Sequence, residues 1–253
     1  MLGLGTSILS PYIESAASYS NTKSLSFAGG SGDNLHYVDT NYTSNALFQD
    51  SFSISMWVKP DDGQHLQTLF GVELGASDVA FFNISSLGQL GFNHFSDGAF
   101  ASVTTDAARF TNGAQSAFTH VVLTVTKNTG GNTSYAIYDD GTSVPISFFG
   151  GFRVSEAKHA AFDHGGLEPS IGASNDDGTH DTPFGGLIDE VAIFTKALSS
   201  SEVTAIYNSG VPKDESAHDG LLLYYRFEDD VTDTAGTSNA TNNGATFSST
   251  VPS

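Results

Sequence analysis

The chain lacks cysteine and is poor in positive charge. Without cysteine it can form neither disulfides nor Cys-ligated zinc sites. Its 9 Lys and Arg stand against 28 Asp and Glu, a formal net charge of −19, so it cannot neutralise a run of phosphates or dock on an anionic lipid surface. No stretch approaches the roughly 18 apolar residues of a membrane span. We therefore expect neither nucleic acid nor membrane among its partners.

Alternating apolar and polar residues run through most of the chain. Of the 253 residues 15% are charged and 27 are glycine, a composition typical of strands joined by tight turns. The clearest alternating segments are residues 52–58 and 118–126. Their apolar positions are Phe52, Ile54, Met56 and Val58, then Val121, Leu123 and Val125. This period of two predicts strands with one buried face, and a chain of this length favours one all-β sandwich.

One helix is predicted near residues 200–208. Ser199 and Glu202 form a capping box, with the serine as N-cap and the glutamate three residues on. Gly210 is expected to end the helix in the left-handed conformation. The apolar stripe consists of Val203, Ile206 and Tyr207. A helix this short covers an edge of the sandwich and does not form a layer of its own.

Three segments resemble the concanavalin A-like lectin/glucanase superfamily in its laminin-G-like form. SLSFAGG at 24–30 with Tyr37 and Val38 resembles the opening strand pair, and SFSISMWVKP at 51–60 resembles a later strand. The most specific segment is FGGLIDEVAIF at 184–194, directly before the capped helix. The resemblance implies a jelly-roll sandwich of two curved antiparallel sheets. The superfamily holds lectins, glycanases, adhesion modules and structural parts, so the fold alone does not give the function.

The resemblance also divides the chain into an arm and a sandwich. Residues 1–24 have no clear period and form an N-terminal arm, while residues 25–253 form a single laminin-G-like sandwich. Residues 219–253 look like a segment that generally precedes the first strand of this family. Either this segment closes the sandwich or it begins a further repeat that is cut short. We favour closure, because several apolar residues there need a core, namely Leu221, Leu223, Tyr225 and Phe227.

Catalytic carboxylates are not found in the expected pattern. Glycanases of this superfamily carry a Glu-x-Asp-x-x-Glu strand, and retaining enzymes hold their two carboxyl groups about 5 Å apart. Nothing in the sequence matches that strand. Asp189 and Glu190 are adjacent, and neighbours in a strand point to opposite faces. We expect a structural Asp189, a solvated Glu190 and no enzymatic activity.

The resemblance implies a structural calcium ion at Asp189. In related folds the aspartate of this strand helps to bind calcium beside the glycine loop of the first strand, and Asp33 is the expected companion here. Carboxylate and carbonyl oxygens are the ligands that Ca²⁺ takes. The alternative is that Asp189 only accepts hydrogen bonds from backbone N–H groups.

Candidate contact residues come from loops. Phe95, Phe148 and Phe149 are expected to lie in glycine-rich loops, where aromatic rings could stack on a sugar or dock on a protein neighbour. Asp176 and Asp177 belong to an acidic loop that would form the rim of such a site. Trp57, the single tryptophan, is expected in the sandwich core, as the resemblance implies.

Two kinds of function fit these observations. Acidic, cysteine-free chains with this C-terminal segment resemble marine phage structural proteins, which implies a virion subunit in a decoration, fibre or tail, with the sandwich exposed to glycans. The apolar arm 1–24 would then contact other virion proteins or its own oligomer. The first cation is Lys23, so the N-terminus is a poor secretory signal, and we expect assembly in a host cytoplasm. The alternative is an extracellular or cell-surface carbohydrate-binding or adhesion module of a bacterium.

Overall fold

Two sheets, one short α-helix and two short 3₁₀ helices, Asn45–Gln49 and Asn208–Gly210, occur in the part of the chain that the structure describes. The computed structural model describes residues 19–29, 36–74, 78–96, 99–128, 133–153 and 165–253. With strands numbered in chain order, sheet A consists of β1 (Ser24–Ala28), β3 (Phe52–Pro60), β8 (Thr119–Lys127), β9 (Thr133–Asp139), β10 (Thr142–Val144), β15 (Gly185–Phe194), β16 (Leu221–Tyr225) and β18 (Thr246–Ser248). Sheet B consists of β2 (Tyr37–Asp39), β4 (Gln67–Leu74), β5 (Asp78–Ile84), β6 (Leu90–Ser96), β7 (Ala99–Thr105), β11 (Ile146–Arg153), β12 (Ser170–Ile171), β13 (Ser174–Asp176), β14 (Thr179–Asp181) and β17 (Thr241–Asn243).

Backbone pairing sets the order of the strands. Sheet A runs β10-β9-β8-β3-β15-β1-β18, and β16 also pairs with β15. Sheet B runs β11-β7-β6-β5-β4-β12-β2-β17. At one end of sheet B, β13 runs parallel to β4 and pairs antiparallel with β14. The predicted all-β sandwich of two antiparallel sheets is confirmed.

The core lies between the two sheets and is built by the alternating residues. The apolar positions predicted for β3 and β8 are all fully buried there. Phe52 of sheet A meets Phe92 of sheet B edge to face, with ring centroids 6.0 Å apart, an arrangement that aromatic pairs favour. Burying one such side chain contributes roughly 1.5–3 kcal/mol to folding. The hydrophobic pattern therefore determines which face of each sheet turns inward.

The helix α1 (Ser200–Tyr207) begins as predicted. The Ser199 hydroxyl accepts a hydrogen bond from the backbone N–H of Glu202, and the Glu202 carboxylate accepts one from the backbone N–H of Ser199 at 2.7 Å. The end of the helix differs from the prediction. Asn208, and not Gly210, takes the left-handed conformation directly after the helix, with φ 48°. Asparagine is among the few non-glycine residues that adopt this region readily.

The C-terminal segment contributes strands to both sheets. In sheet A, β16 pairs with β15 and β18 pairs with β1, while in sheet B β17 pairs with β2. The buried hydroxyl of Tyr225 lies 2.9 Å from the carbonyl oxygen of Thr40 and 2.8 Å from that of Ser238, and its one proton is shared between them. The contact with Thr40 joins the C-terminal segment to the loop after β2.

Candidate functional site

The outer face of sheet B, turned away from the core, combines aromatic rings with amide and hydroxyl groups. Phe82 and Phe92 belong to the core, so their neighbours along each strand face outward. The strand register places the outward residues in two transverse rows. One row consists of Gly71, Phe81, Asn93 and Ser102, and the next of Glu73, Val79 and Phe95. We call these seven residues the sheet B face.

Gly71 makes room for Phe81 in the first row. A Cβ atom built on Gly71 would lie 2.4 Å from the Cβ of Phe81, a distance that no pair of side chains tolerates. Phe81 is half-buried, as are Asn93 and Phe95. The glycine therefore lets an aromatic side chain stand on the sheet beside a polar amide.

Acidic groups gather at one end of the sheet B face. Asp176 pairs with Glu73 in the parallel β13–β4 ladder, and Asp181 lies on the neighbouring strand β14. Burial raises the pKa of Glu73 to about 6, with further increases from the charges of Asp176 and Asp181. No described Lys, Arg or His forms an ion pair with any of these carboxylates. This end of the face is therefore negatively charged at neutral pH.

The residues predicted to contact a glycan divide between several places, and Phe95 and Phe148 lie in strands β6 and β11 and not in the predicted loops. Phe95 lies in the second row of the sheet B face, on the same row as Glu73, whose neighbour is Asp176. Asp177 occupies the exposed turn after β13, with φ 48°. Phe148 pairs with the buried Val103 and packs against the core beside Tyr135, so its ring is not on this face. The side chain of Phe149 lies outside the described residues.

Phe81 and Asn93 were not predicted from the sequence. A signal was present in the paired phenylalanines of DVAFFNI at 78–84. In a strand, two adjacent residues face opposite sides. One of the two rings therefore had to face outward, and the register shows that it is Phe81.

The outer face of sheet A is closed by helix α1. Eight buried residues form a second hydrophobic cluster there, namely Val122, Tyr138, Ala192, Phe194, Leu198, Val203, Ile206 and Tyr224. Trp57 also lies on this side, with its ring 4.9 Å from His120 and 5.8 Å from Tyr207. The prediction that Trp57 is buried is confirmed, but its ring lies on the outer side of sheet A and not between the two sheets. It is 5% exposed and offers no platform to a ligand.

Asp189 and Glu190 do not point to opposite faces, because a β-bulge separates them from the regular ladder. Pairing with β3 shifts register between Asp189 and Ala192, and Glu190 has φ 49°. Ile188 and Val191 both belong to the core, so the two acidic residues between them lie on the outer side. A bulge inserts one extra residue and resets the alternation in this way.

Glu190 is buried, which corrects the expectation that it is solvated. Its side chain is 5% exposed and lies 3.7 Å from Nε of Arg226, and it accepts a hydrogen bond from the Tyr224 hydroxyl. Burial raises its pKa to about 7, although Tyr224, Tyr19 and Arg226 act in the opposite direction. Two adjacent carboxyl groups that no substrate can reach do not make a glycanase site.

Asp189, the predicted calcium ligand, makes hydrogen bonds to protein. Its carboxylate accepts from Nδ2 of Asn21 at 3.0 Å and from the backbone N–H of Glu190 at 2.9 Å. It is fully buried, and burial raises its pKa well above the ordinary value. Its expected companion Asp33 lies outside the described residues. Within the described ranges, no three His, Asp or Glu side chains are grouped as a metal site, and calcium stays a prediction.

Ser55 and His120 form a hydrogen bond that resembles part of a catalytic triad. Ser55 Oγ lies 2.8 Å from Nε2 of His120. Both residues are 1% exposed beneath the helix side of sheet A. A nucleophile must reach its substrate, so this buried pair has a structural role.

The described end of the N-terminal arm packs on the sandwich. The backbone N–H and hydroxyl of Thr22 donate to the Glu228 carboxylate at 2.8 and 2.6 Å. Arg226 lies over the ring of Tyr19 at 4.6 Å and donates to the carbonyl of Ser20. The rest of the predicted arm, residues 1–18, lies outside the described residues.

The fold and the aromatic outer face define a lectin-like sandwich, and comparison with known families agrees. The laminin-G-type profile of the "Concanavalin A-like lectin/glucanases superfamily" matches residues 30–204. The chain belongs to this superfamily. No curated protein sequence matches the chain. None of the described helices is long and apolar enough to cross a membrane.

Several solved structures share the fold at low sequence identity. A proposed carbohydrate-binding protein from Bacteroides ovatus has a TM-score of 0.61 at 20% identity, covering 91% of this chain and 61% of its own. The chain therefore spans about three fifths of that protein. Ruminococcus gnavus IT-sialidase CBM40 gives 0.54 at 17% identity over 73% of this chain and 96% of its own, and it has been solved with α2,3-sialyllactose. A heptameric SAP-like pentraxin from Limulus polyphemus gives 0.52 at 13% identity, covering 74% and 82%.

Proposed function

We propose that the chain is a non-catalytic, glycan-contacting subunit of a virus particle, and that the sheet B face makes the glycan contact. The observation that carries the proposal is the row in which Phe81 stands beside Asn93 and Ser102. Sugars present C–H groups on one side and hydroxyls at their edges. An aromatic ring packs against the C–H groups, and amide or hydroxyl groups form hydrogen bonds with the sugar hydroxyls.

The charge of the face selects the class of glycan. Glu73, Asp176 and Asp181 bring negative charge to one end, and the whole chain carries a formal charge of −19. A sialylated or sulfated sugar would meet like charge there. The preferred ligands are therefore neutral glycans, unlike the sialyllactose bound by the Ruminococcus module.

Binding assays with a matched ligand pair test the glycan proposal. Lactose and α2,3-sialyllactose differ by one anionic sugar, and a wider panel of neutral oligosaccharides covers other linkages. We expect binding of at least one neutral glycan, and its loss in Phe81→Ala and Asn93→Ala. Leu87→Ala, at a 66% exposed residue on a turn, is the matched control and should bind normally.

The outcomes separate the parts of the proposal. Failure of every glycan to bind, with the protein folded by circular dichroism, would remove the glycan contact. Binding that survives Phe81→Ala would move the contact to another face. Equal affinity for a neutral glycan and its sialylated form would leave the glycan contact in place and remove the charge selection.

The placement on a particle rests on the sequence. Its composition and C-terminal segment resemble marine phage structural proteins, and residues 1–18 include Leu2, Leu4, Ile8, Leu9, Tyr12 and Ile13. Such an apolar segment gains free energy by packing against a partner. The alternative, a bacterial carbohydrate-binding or adhesion module, is supported by the fold shared with proteins of Bacteroides and Ruminococcus.

Deletion of residues 1–18 tests this placement. The truncation keeps Tyr19 and Thr22, which pack on the sandwich. We expect a folded, glycan-binding protein that no longer enters virus particles. If the truncated protein still enters particles, the arm is not the anchor. If purified particles of the phages that encode the full chain do not contain it, the bacterial alternative replaces the virion proposal.

A further inference from the structure

A small polar cavity lies on the side of sheet A that faces helix α1, away from the proposed glycan contact. It leaves about 10 Å³ for the centre of a water-sized molecule, which is room for one such molecule. Strands β3, β8 and β15 line it on one side. Ile206 of the helix and Pro212, Lys213 and Glu215 line it on the other. Its polar lining residues are Ser55, His120, Glu190, Lys213 and Glu215.

Three polar atoms of this lining are buried without a hydrogen-bond partner. They are Nδ1 of His120, Oε1 of Glu190 and Oε1 of Glu215. His120 is 1% exposed, and the side chains of Glu190 and Glu215 are 5% and 7% exposed. Nearly all buried polar groups in folded proteins find a partner, since leaving one unsatisfied costs free energy. Three such atoms around one cavity indicate a shared occupant.

The charges around the cavity indicate that the occupant is neutral. Glu190 lies 3.7 Å from Nε of Arg226, and Glu215 lies 3.7 Å from Nζ of Lys213. Each carboxyl group therefore already has a cation beside it. Burial also raises the pKa of both carboxyl groups to about 7, which reduces the negative charge available to a metal ion.

We propose that this cavity binds one water molecule, which donates hydrogen bonds to Glu190 Oε1 and Glu215 Oε1 and accepts one from His120 Nδ1–H. Water has the two donors and the acceptor that these atoms require. Burial lowers the pKa of His120 to about 3, so the imidazole is neutral and carries one proton. With that proton on Nδ1, Nε2 accepts from the Ser55 hydroxyl at 2.8 Å. The three buried atoms are then satisfied.

The water links segments that are distant in the sequence. His120 lies on β8, Glu190 on β15, and Glu215 on the segment that follows the helix. No described hydrogen bond joins Glu215 directly to His120. The water molecule would connect the two and so hold residues 212–215 against sheet A. Its role is to fasten this segment to the sheet.

A crystal structure of the full chain at about 1.5 Å tests the proposal. We expect a single solvent peak in the cavity, about 2.6–3.2 Å from each of the three atoms. An empty cavity, or direct pairing of the three side chains, would overturn it. A peak at about 2.4 Å from several oxygens would identify a metal ion instead, and would also overturn it.

Variants extend the test to solution. Glu215→Met removes one acceptor and fills the cavity, so water ¹⁷O relaxation dispersion should show one long-lived water fewer than in the wild type. Glu215→Gln keeps an oxygen at the same place and should retain the signal, as should Asp219→Asn at a 92% exposed side chain. An unchanged signal in folded Glu215→Met would contradict the proposal.

Discussion

The outer face of sheet A is covered by other parts of the chain, whereas the outer face of sheet B is partly exposed. On sheet A, helix α1 covers Phe194 and Val122, both fully buried, and carboxyl groups are enclosed beneath it. On sheet B, the corresponding face keeps Phe81, Asn93 and Phe95 half-exposed. The same two-residue alternation produces both faces, so the difference arises from what packs on them.

This difference separates structural from functional polar groups. On the outer side of sheet A, four residues resemble catalytic residues by type, namely Ser55, His120, Asp189 and Glu190. All of them are buried and bonded to protein. The sheet B face has fewer ionisable groups, and its Phe81, Asn93 and Phe95 side chains are partly exposed. Residue type alone is therefore a poor guide to function here, and accessibility decides.

Truncating a phenylalanine on each outer face should give the largest contrast. Phe194→Ala removes a fully buried ring and should lower the free energy of unfolding by about 3–5 kcal/mol. Phe81→Ala removes a half-exposed ring and should cost about 1 kcal/mol. Urea unfolding of both variants measures the difference. Equal losses would mean that the sheet B face is as closed as the sheet A face.

The buried carboxyl groups of sheet A should make stability fall as pH rises. Burial raises the pKa of Glu190 from its ordinary 4.5 to about 7, so between these values the folded state binds the proton more tightly than the unfolded chain. The stability from this group is fully present below about pH 4.5 and is lost as pH rises through about 7. The loss is on the order of 3 kcal/mol.

Comparison with a variant isolates this effect from the general charge repulsion. Glu190→Gln should show a flatter fall of unfolding free energy between pH 5 and 7.5 than the wild type. Asp219→Asn, at an exposed position, should keep the wild-type slope. If Glu190→Gln and the wild type fall in parallel, Glu190 does not retain its proton in the folded state.

The strands and the start of the helix could be predicted because local patterns determine them. The alternation at Phe52–Val58 and the Ser199–Glu202 capping box both require only neighbouring residues, and both are confirmed. The bulge at Glu190 breaks the alternation, and the spacing of Ile188, Val191 and Ile193 carried that signal. We nevertheless expected a strictly alternating strand there, and for this reason Glu190 was wrongly predicted to be exposed to solvent.

The candidate site depended on packing between distant segments and was less predictable. Phe95 lies on the sheet B face as a contact residue should, but Phe148 packs against the core. Trp57 faces outward yet is covered by Tyr207 of the helix. No local pattern reports which strand pairs with which, so the row of Phe81 and Asn93 emerges only from the sheet order.

Removing the helix cap should weaken the cover of sheet A by a moderate amount. Ser199→Ala deletes the hydroxyl that accepts from the N–H of Glu202 and should lower the free energy of unfolding by about 1 kcal/mol. Ser200→Ala, at the exposed first helical residue, is the control and should change it by less than about 0.5 kcal/mol. Thermal unfolding followed by circular dichroism compares the two. Similar losses in both variants would show that the capping box adds nothing to stability.

The smallest effect concerns the acidic end of the sheet B face and rests on the proposed glycan contact. The pKa of Glu73 is raised to about 6, first by burial and then by Asp176 and Asp181, so Glu73 is charged at pH 7.5 and mostly neutral at pH 5. A sialic acid carboxylate is ionised at both pH values. For charges about 8 Å apart in a largely aqueous setting, the repulsion is about 0.7 kcal/mol, or roughly threefold in Kd.

The affinity for a sialylated glycan, relative to its neutral counterpart, should therefore improve about threefold in the wild type between pH 7.5 and 5, when both are measured by calorimetry. In Glu73→Gln the ratio should already be improved at pH 7.5 and should change little with pH. A ratio that is independent of pH in both proteins would show that Glu73 does not face the bound sugar, even if neutral glycans bind as proposed.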